Sequence, residues 1–172
     1  MLLDRDELVS ALFSETDRAL RLKMPLALIG IADAERKETH RDDSPDATRD
    51  LCIRIARILR SFDSIGTWMD GEFVLLLPGC TLVHAKILAE RLRDEVLAVP
   101  MNASGEKLWS KACFGVASGG GRSPIVVLRE IECAMREARA AGPGSVRSSE
   151  TGGALDPEAF LIPVLAYDDS HW

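Results

Sequence analysis

Hydrophobic and polar positions along the chain alternate between helix-period and strand-like segments. Residues 4–23 set Leu8, Ala11, Leu12, Ala19 and Leu20 among charged residues, which predicts an amphipathic helix stopped by Met24-Pro25. Residues 26–32 form an unbroken apolar run, the pattern of a strand buried on both faces. Ser44-Pro45 supplies an N-cap and a first-turn proline for a second helix. Its stripe comprises Ala47, Leu51, Ile55, Ile58 and Phe62, widened by Cys52 and Leu59, and Phe62 is expected in the core. Two apolar runs, 65–69 and 72–77, are hinged on Asp70-Gly71. That pair suits a type I′ hairpin turn, because both central residues need φ > 0. Pro78-Gly79 stops the second run. Thr81 caps a third helix to about residue 98, with Leu82, Ala85, Leu88, Ala89, Leu92 and Val96 facing inward. Residues 107–117 read as a strand, and 126–141 as a last helix ended by Gly142-Pro143-Gly144.

Composition narrows the class. A chain of 172 residues with 47% hydrophobic content fills one domain with a full core. The net charge of −6 argues against a nucleic-acid binder, which needs a basic surface. Cys52, Cys80, Cys113 and Cys133 are far apart with no metal-ligand spacing and read as small core residues in a reducing compartment. His40, His84 and His171 share no such spacing either. The longest apolar runs, 25–32 and 73–77, fall well short of the roughly 18 residues of a spanning helix, and the chain opens on no charged-then-apolar leader. The expectation is a cytoplasmic protein that is not inserted in a membrane.

The hairpin and the helix after it resemble the GGDEF domain of bacterial cyclic-dinucleotide signalling, whose hairpin reads Gly-Gly-Asp/Glu-Glu-Phe before an apolar strand and Pro-Gly. The five positions here are Met69, Asp70, Gly71, Glu72 and Phe73, and the last two match. Further matches are Ala89-Glu90-Arg91-Leu92-Arg93, Cys113-Phe114-Gly115-Val116-Ala117 and Ala138-Arg139-Ala140-Ala141-Gly142. The resemblance covers residues 4–147. It implies an α/β sandwich of the nucleotide-cyclase palm type, with a central, mainly antiparallel five-stranded sheet flanked by helices. Residues 148–172 depart from it. There 148–154 read as a linker, and the apolar run 160–167 is expected to dock on this domain or on a partner, Pro163 confining it to an edge if it forms a strand.

In the family the third signature position supplies a magnesium-binding, catalytic carboxylate, and the first strand ends in a second metal ligand. Gly71 has no carboxylate, and the strand position falls on Ala32, with Asp33 one place late. The guanine-reading positions fall near His40 and Arg49 and keep neither type. A one-residue displacement turns a strand side chain to the other face, so Asp33 and Asp70 make a poor metal pair. The resemblance thus implies a degenerate signature, no diguanylate cyclase activity, no catalytic or metal residues and no cofactor. Arg139 stands where the family has a phosphate-contacting Lys.

Arg60-Ser61-Phe62-Asp63 is an Arg-x-x-Asp whose Asp lies six residues before Met69, the register of the family's inhibitory site for cyclic di-GMP. A guanidinium can pair with phosphate oxygens or a guanine edge, and a carboxylate accepts from guanine N1 and N2. Arg91 is the closest match to the additional arginine of that site. The favoured expectation is a catalytically inactive receptor or adaptor for cyclic di-GMP using Arg60, Asp63 and Arg91, with a signalling protein as partner and a homodimer left open. The chain opens directly on its lead helix, so signals are expected through a ligand or a separate partner. Two alternatives stand beside this: a ligand-independent interaction module, and a GTP- and magnesium-dependent enzyme rebuilt around Asp33 and Asp70.

Overall fold

The computed structural model describes residues 1–35, 45–69, 71–97 and 111–148. Expectations for His40, Ser44, Asp70 and the segment after Ser148 lie outside the described residues.

Strand β1 (Leu2–Leu3) leads into helix α1 (Arg5–Leu22). Asp4 caps α1 by accepting from Glu7 N at 2.8 Å, while the Glu7 carboxylate accepts from Asp4 N at 2.8 Å, a reciprocal capping box. Lys23, at φ 53°, turns the chain out of the helix. Strand β2 (Leu26–Asp33), helix α2 (Pro45–Ala56) and the hairpin strands β3 (Ser64–Thr67) and β4 (Phe73–Pro78) follow. Helix α3 (Leu82–Arg91), capped by the Thr81 hydroxyl accepting from His84 N, passes into a π-helical stretch, Leu92–Leu97. Strand β5 (Ala112–Ser118), helix α4 (Pro124–Ala141) and strand β6 (Val146–Ser148) complete the described chain.

The sheet has six strands, in the order β1-β3-β4-β2-β5-β6. Its four central strands pair antiparallel, whereas β1 pairs parallel with β3 and β6 parallel with β5. The expected count of five is corrected to six. The edge strands β1 and β6 are two and three residues long, too short to carry a readable alternation. Ser148, expected to open a linker, belongs to β6.

Alternation along β2 divides the core between the two sheet faces. Ala27, Ile29 and Ile31 pack with Leu51 and Ile55 of α2 and Ala85 and Ala89 of α3. Leu26, Leu28 and Ala32 pack with Leu8 and Leu12 of α1 and with Ile131, Met135 and Ala138 of α4. Gly30 and Gly115 face each other across β2 and β5, under α4. A Cβ at Gly115 would lie 2.6 Å from Met135 N, so glycine is what lets α4 lie this close to the sheet.

Three expectations about burial are corrected. Helix α2 ends at Ala56, so the stripe loses its phase and Phe62 is exposed. Cys133 is also exposed, on the outer side of α4, whereas Cys80 and Cys113 are buried. Leu20, placed on the apolar stripe of α1, is 63% exposed, and Thr16 takes the buried place between Leu12 and Ala19.

Candidate functional site

Strand β4 carries arginine–carboxylate pairs at both of its ends. At its start, Glu72 N donates to Met69 O at 2.9 Å and Trp68 N to Glu72 O at 3.0 Å, closing the hairpin. Gly71 sits at φ 70°, which a glycine adopts without strain. Trp68 packs into the core, as expected of a hairpin tryptophan, beneath the Arg5 guanidinium at 4.6 Å. Glu72 is buried and takes a charge-assisted hydrogen bond from Arg139 Nη2, which ties the hairpin to the last turn of α4. Trp68, Met69, Glu72, Glu132, Arg136 and Arg139 line a shallow cavity of about 180 Å³ beside this pair.

The strand beneath is dry. Ala32 is fully buried and pairs with Cys113, whose thiol is pushed up to about 11, chiefly by burial. Asp33 follows on the opposite side of the strand, and its Oδ1 accepts from Glu35 N at 2.8 Å. Beside it Lys111 pairs with Glu35. Among the described residues no group of three His, Cys, Asp or Glu side chains converges in a way that could hold a metal ion.

At the other end of β4, Arg60 and Asp63 form one closed unit. Asp63 N donates to Arg60 O at 3.0 Å, and the Asp63 carboxylate accepts from Arg60 N at 2.8 Å, Nε at 3.1 Å and Nη2 at 2.9 Å. Arg60 Nη2 also donates to Pro78 O at 3.0 Å, anchoring the turn to the end of β4. The Asp63 side chain is 2% exposed and that of Arg60 45%. The bond to Asp63 raises the Arg60 pKa, so the cation is permanent. Burial raises the neighbouring Cys80 thiol, which Arg60 lowers in part. Phe62 lies against the guanidinium, 4.5 Å from Cζ to ring centroid. Together Arg60, Phe62, Pro78 and Gly79 of this turn and Glu15, Arg18, Ala19, Met24 and Pro25 of the α1 end line a groove of about 260 Å³.

The structure thus brings Arg60 and Asp63 together as the sequence expects. Arg91, the third residue of that set, lies at the exposed end of α3, where it pairs with Glu95 at 3.4 Å, and it is not among the residues lining the groove. The Glu72–Arg139 pair was not anticipated. Both residues belong to matched motifs, but their 67-residue separation leaves no local signal of the contact.

Comparison with known proteins agrees with this architecture. Residues 49–145 match the family model described as diguanylate cyclase, GGDEF domain. The diguanylate cyclase DgcP of Pseudomonas aeruginosa is 29% identical over 121 residues, which is 67% of this chain and 18% of that protein. Diguanylate cyclase SiaD of Pseudomonas aeruginosa, solved in complex with its activator SiaC, superposes with a TM-score of 0.70 at 26% identity, over 86% of this chain and 58% of that one. The GGDEF domain of DgcB from Caulobacter crescentus, solved in complex with c-di-GMP, gives a TM-score of 0.72 at 17% identity, over 87% of this chain and 90% of that one. The chain spans less than a fifth of the curated relative's length. With more than half of its residues, 49–145, matching the family model, the chain belongs to the GGDEF family.

Proposed function

We propose that this domain does not synthesise cyclic di-GMP but binds it, as a receptor or adaptor, through the Arg60–Asp63 turn. Phosphoryl transfer of this kind needs paired carboxylates holding a divalent cation against a triphosphate. Among the described residues at the end of β2 and the start of β4 the donor set does not fit such an ion: Ala32 and Gly71 carry no acid, Asp33 is turned to the Glu35 amide, and Glu72 is engaged by Arg139. The observation that carries the receptor reading is the Arg60 guanidinium. It is locked by Asp63 on one edge, half-exposed on the other, and it faces a groove large enough for part of a planar ligand. Its Nη1 edge suits a phosphate oxygen or the acceptor edge of guanine; Arg91, the sequence's closest match to a further arginine, lies outside this groove and takes no part in the reading. A GGDEF neighbour solved with c-di-GMP, and another solved with an activator protein, support placing this domain in the same signalling chemistry.

The test pairs turnover with binding. Incubation with GTP and magnesium is expected to release no pyrophosphate and form no cyclic dimer, while cyclic di-GMP is expected to raise the melting temperature, since a ligand selective for the native state must. Product formation would overturn the inactive half of the reading, and an unchanged melting temperature the receptor half.

A second reading is favoured by one observation. Asp63 is almost wholly buried and both its oxygens already accept from Arg60, so the turn can serve as a structural clamp in a ligand-independent interaction module. That reading predicts no nucleotide binding and a stable complex with a protein partner.

A further inference from the structure

The groove at the end of β4 has an apolar floor and rim, formed by Ala19, Met24, Pro25, Phe62, Pro78 and Gly79, with Met24 42% and Phe62 52% exposed. Two guanidiniums, Arg18 and Arg60, stand at its edge, Arg18 3.7 Å from Glu15 of the same lining and Arg60 paired with the buried Asp63 while 45% exposed. The chain itself carries a segment of matching chemistry. Residues 160–167 read Phe-Leu-Ile-Pro-Val-Leu-Ala-Tyr and are followed by Asp168 and Asp169, and residues 149–172 contain five acids and no Lys or Arg.

The topology delivers this segment to the right end of the sheet. Strand β6 runs parallel to β5, and β5 runs antiparallel to β2, so the chain leaves Ser148 heading toward the level of Leu26, which pairs with Pro78. From β6 to β4 there are three strand spacings, roughly 14 Å. The eleven residues 149–159 reach up to about 36 Å when extended, so the span is easily made.

We infer that residues 160–169 dock intramolecularly in this groove, with the apolar run over Met24, Phe62 and Pro78 and Asp168 and Asp169 near Arg18 and Arg60. Docking there covers the open edge of Arg60. Competition between the docked segment and cyclic di-GMP is a corollary that rests on the receptor reading; the docking itself does not.

Hydrogen exchange on the full chain, without ligand, tests the docking reciprocally. The wild type is expected to protect the amides of 160–167. Met24→Asp, at an exposed rim position, is expected to raise their exchange at least about tenfold. The double variant Phe160→Asp/Leu165→Asp is expected to raise exchange in 18–25 and 60–63. Free-chain exchange of 160–167 in the wild type would overturn the inference, as would protection indifferent to Met24→Asp. Protection that grows with protein concentration would overturn it in favour of a second copy in the groove. An unchanged cyclic di-GMP affinity in the double variant would strike only the corollary.

Discussion

The two arginine–carboxylate pairs of strand β4 are built in opposite ways. Arg60 and Asp63 are three residues apart, close a turn by themselves, and leave a guanidinium edge toward an open groove. Arg139 and Glu72 are brought together only by the fold, and they pair beside the buried Ala32 of β2 and Cys113 of β5. The local pair leaves part of its guanidinium open to solvent, at 45% side-chain exposure. The long-range pair instead ties the hairpin to the last turn of α4.

The comparison breaks most visibly in stability. Asp63→Ala removes the carboxylate that accepts three hydrogen bonds from Arg60, the backbone bond that closes the turn among them, and is expected to cost about 2 kcal/mol, the 45% exposed guanidinium being re-solvated by water. Glu72→Ala leaves a 40% exposed Arg139 that water can solvate, so about 1 kcal/mol is expected. Urea unfolding of both variants checks the ranking, and equal losses would erase the distinction between the two ends.

Alkaline titration sharpens the dry half. Burial raises Cys113 from its ordinary 9.0 to about 11, so the folded state holds a proton there that the unfolded chain releases. Stability from this group is complete below pH 9 and falls as pH rises toward 11. Cys113→Ala is expected to flatten that slope, while Cys133, exposed on α4, is expected to react first with a thiol reagent. The smallest effect concerns Phe62. Its removal deletes one exposed cation–π contact, about 0.5 kcal/mol, and a larger loss would show that the ring packs more tightly than its exposure indicates.

Most of the fold was legible because its signals are local. The helical period of α1, the continuous apolar β2, the β3–β4 hairpin and the Thr81 cap each need only a few neighbouring residues to be read. Phe62 fits the apolar stripe only if the helix runs past Ala56, whereas the chain leaves the helix there and turns through the Arg60–Asp63 bonds. The edge strands β1 and β6 exist only because β3 and β5 offer them partners, which no short stretch of sequence records. The Arg60–Asp63 half of the candidate site was visible as a spacing. The Glu72–Arg139 half required α4 to lie across the sheet, an approach permitted by Gly30 and Gly115 rather than announced by either charged residue.

Titration calorimetry with cyclic di-GMP, comparing the wild-type chain with Arg60→Ala and Arg139→Ala, tests the division of roles most directly. Binding by the wild type, lost in Arg60→Ala and retained in Arg139→Ala, is the predicted result. Binding that survives Arg60→Ala but disappears in Arg139→Ala would place the ligand at the hairpin and contradict it.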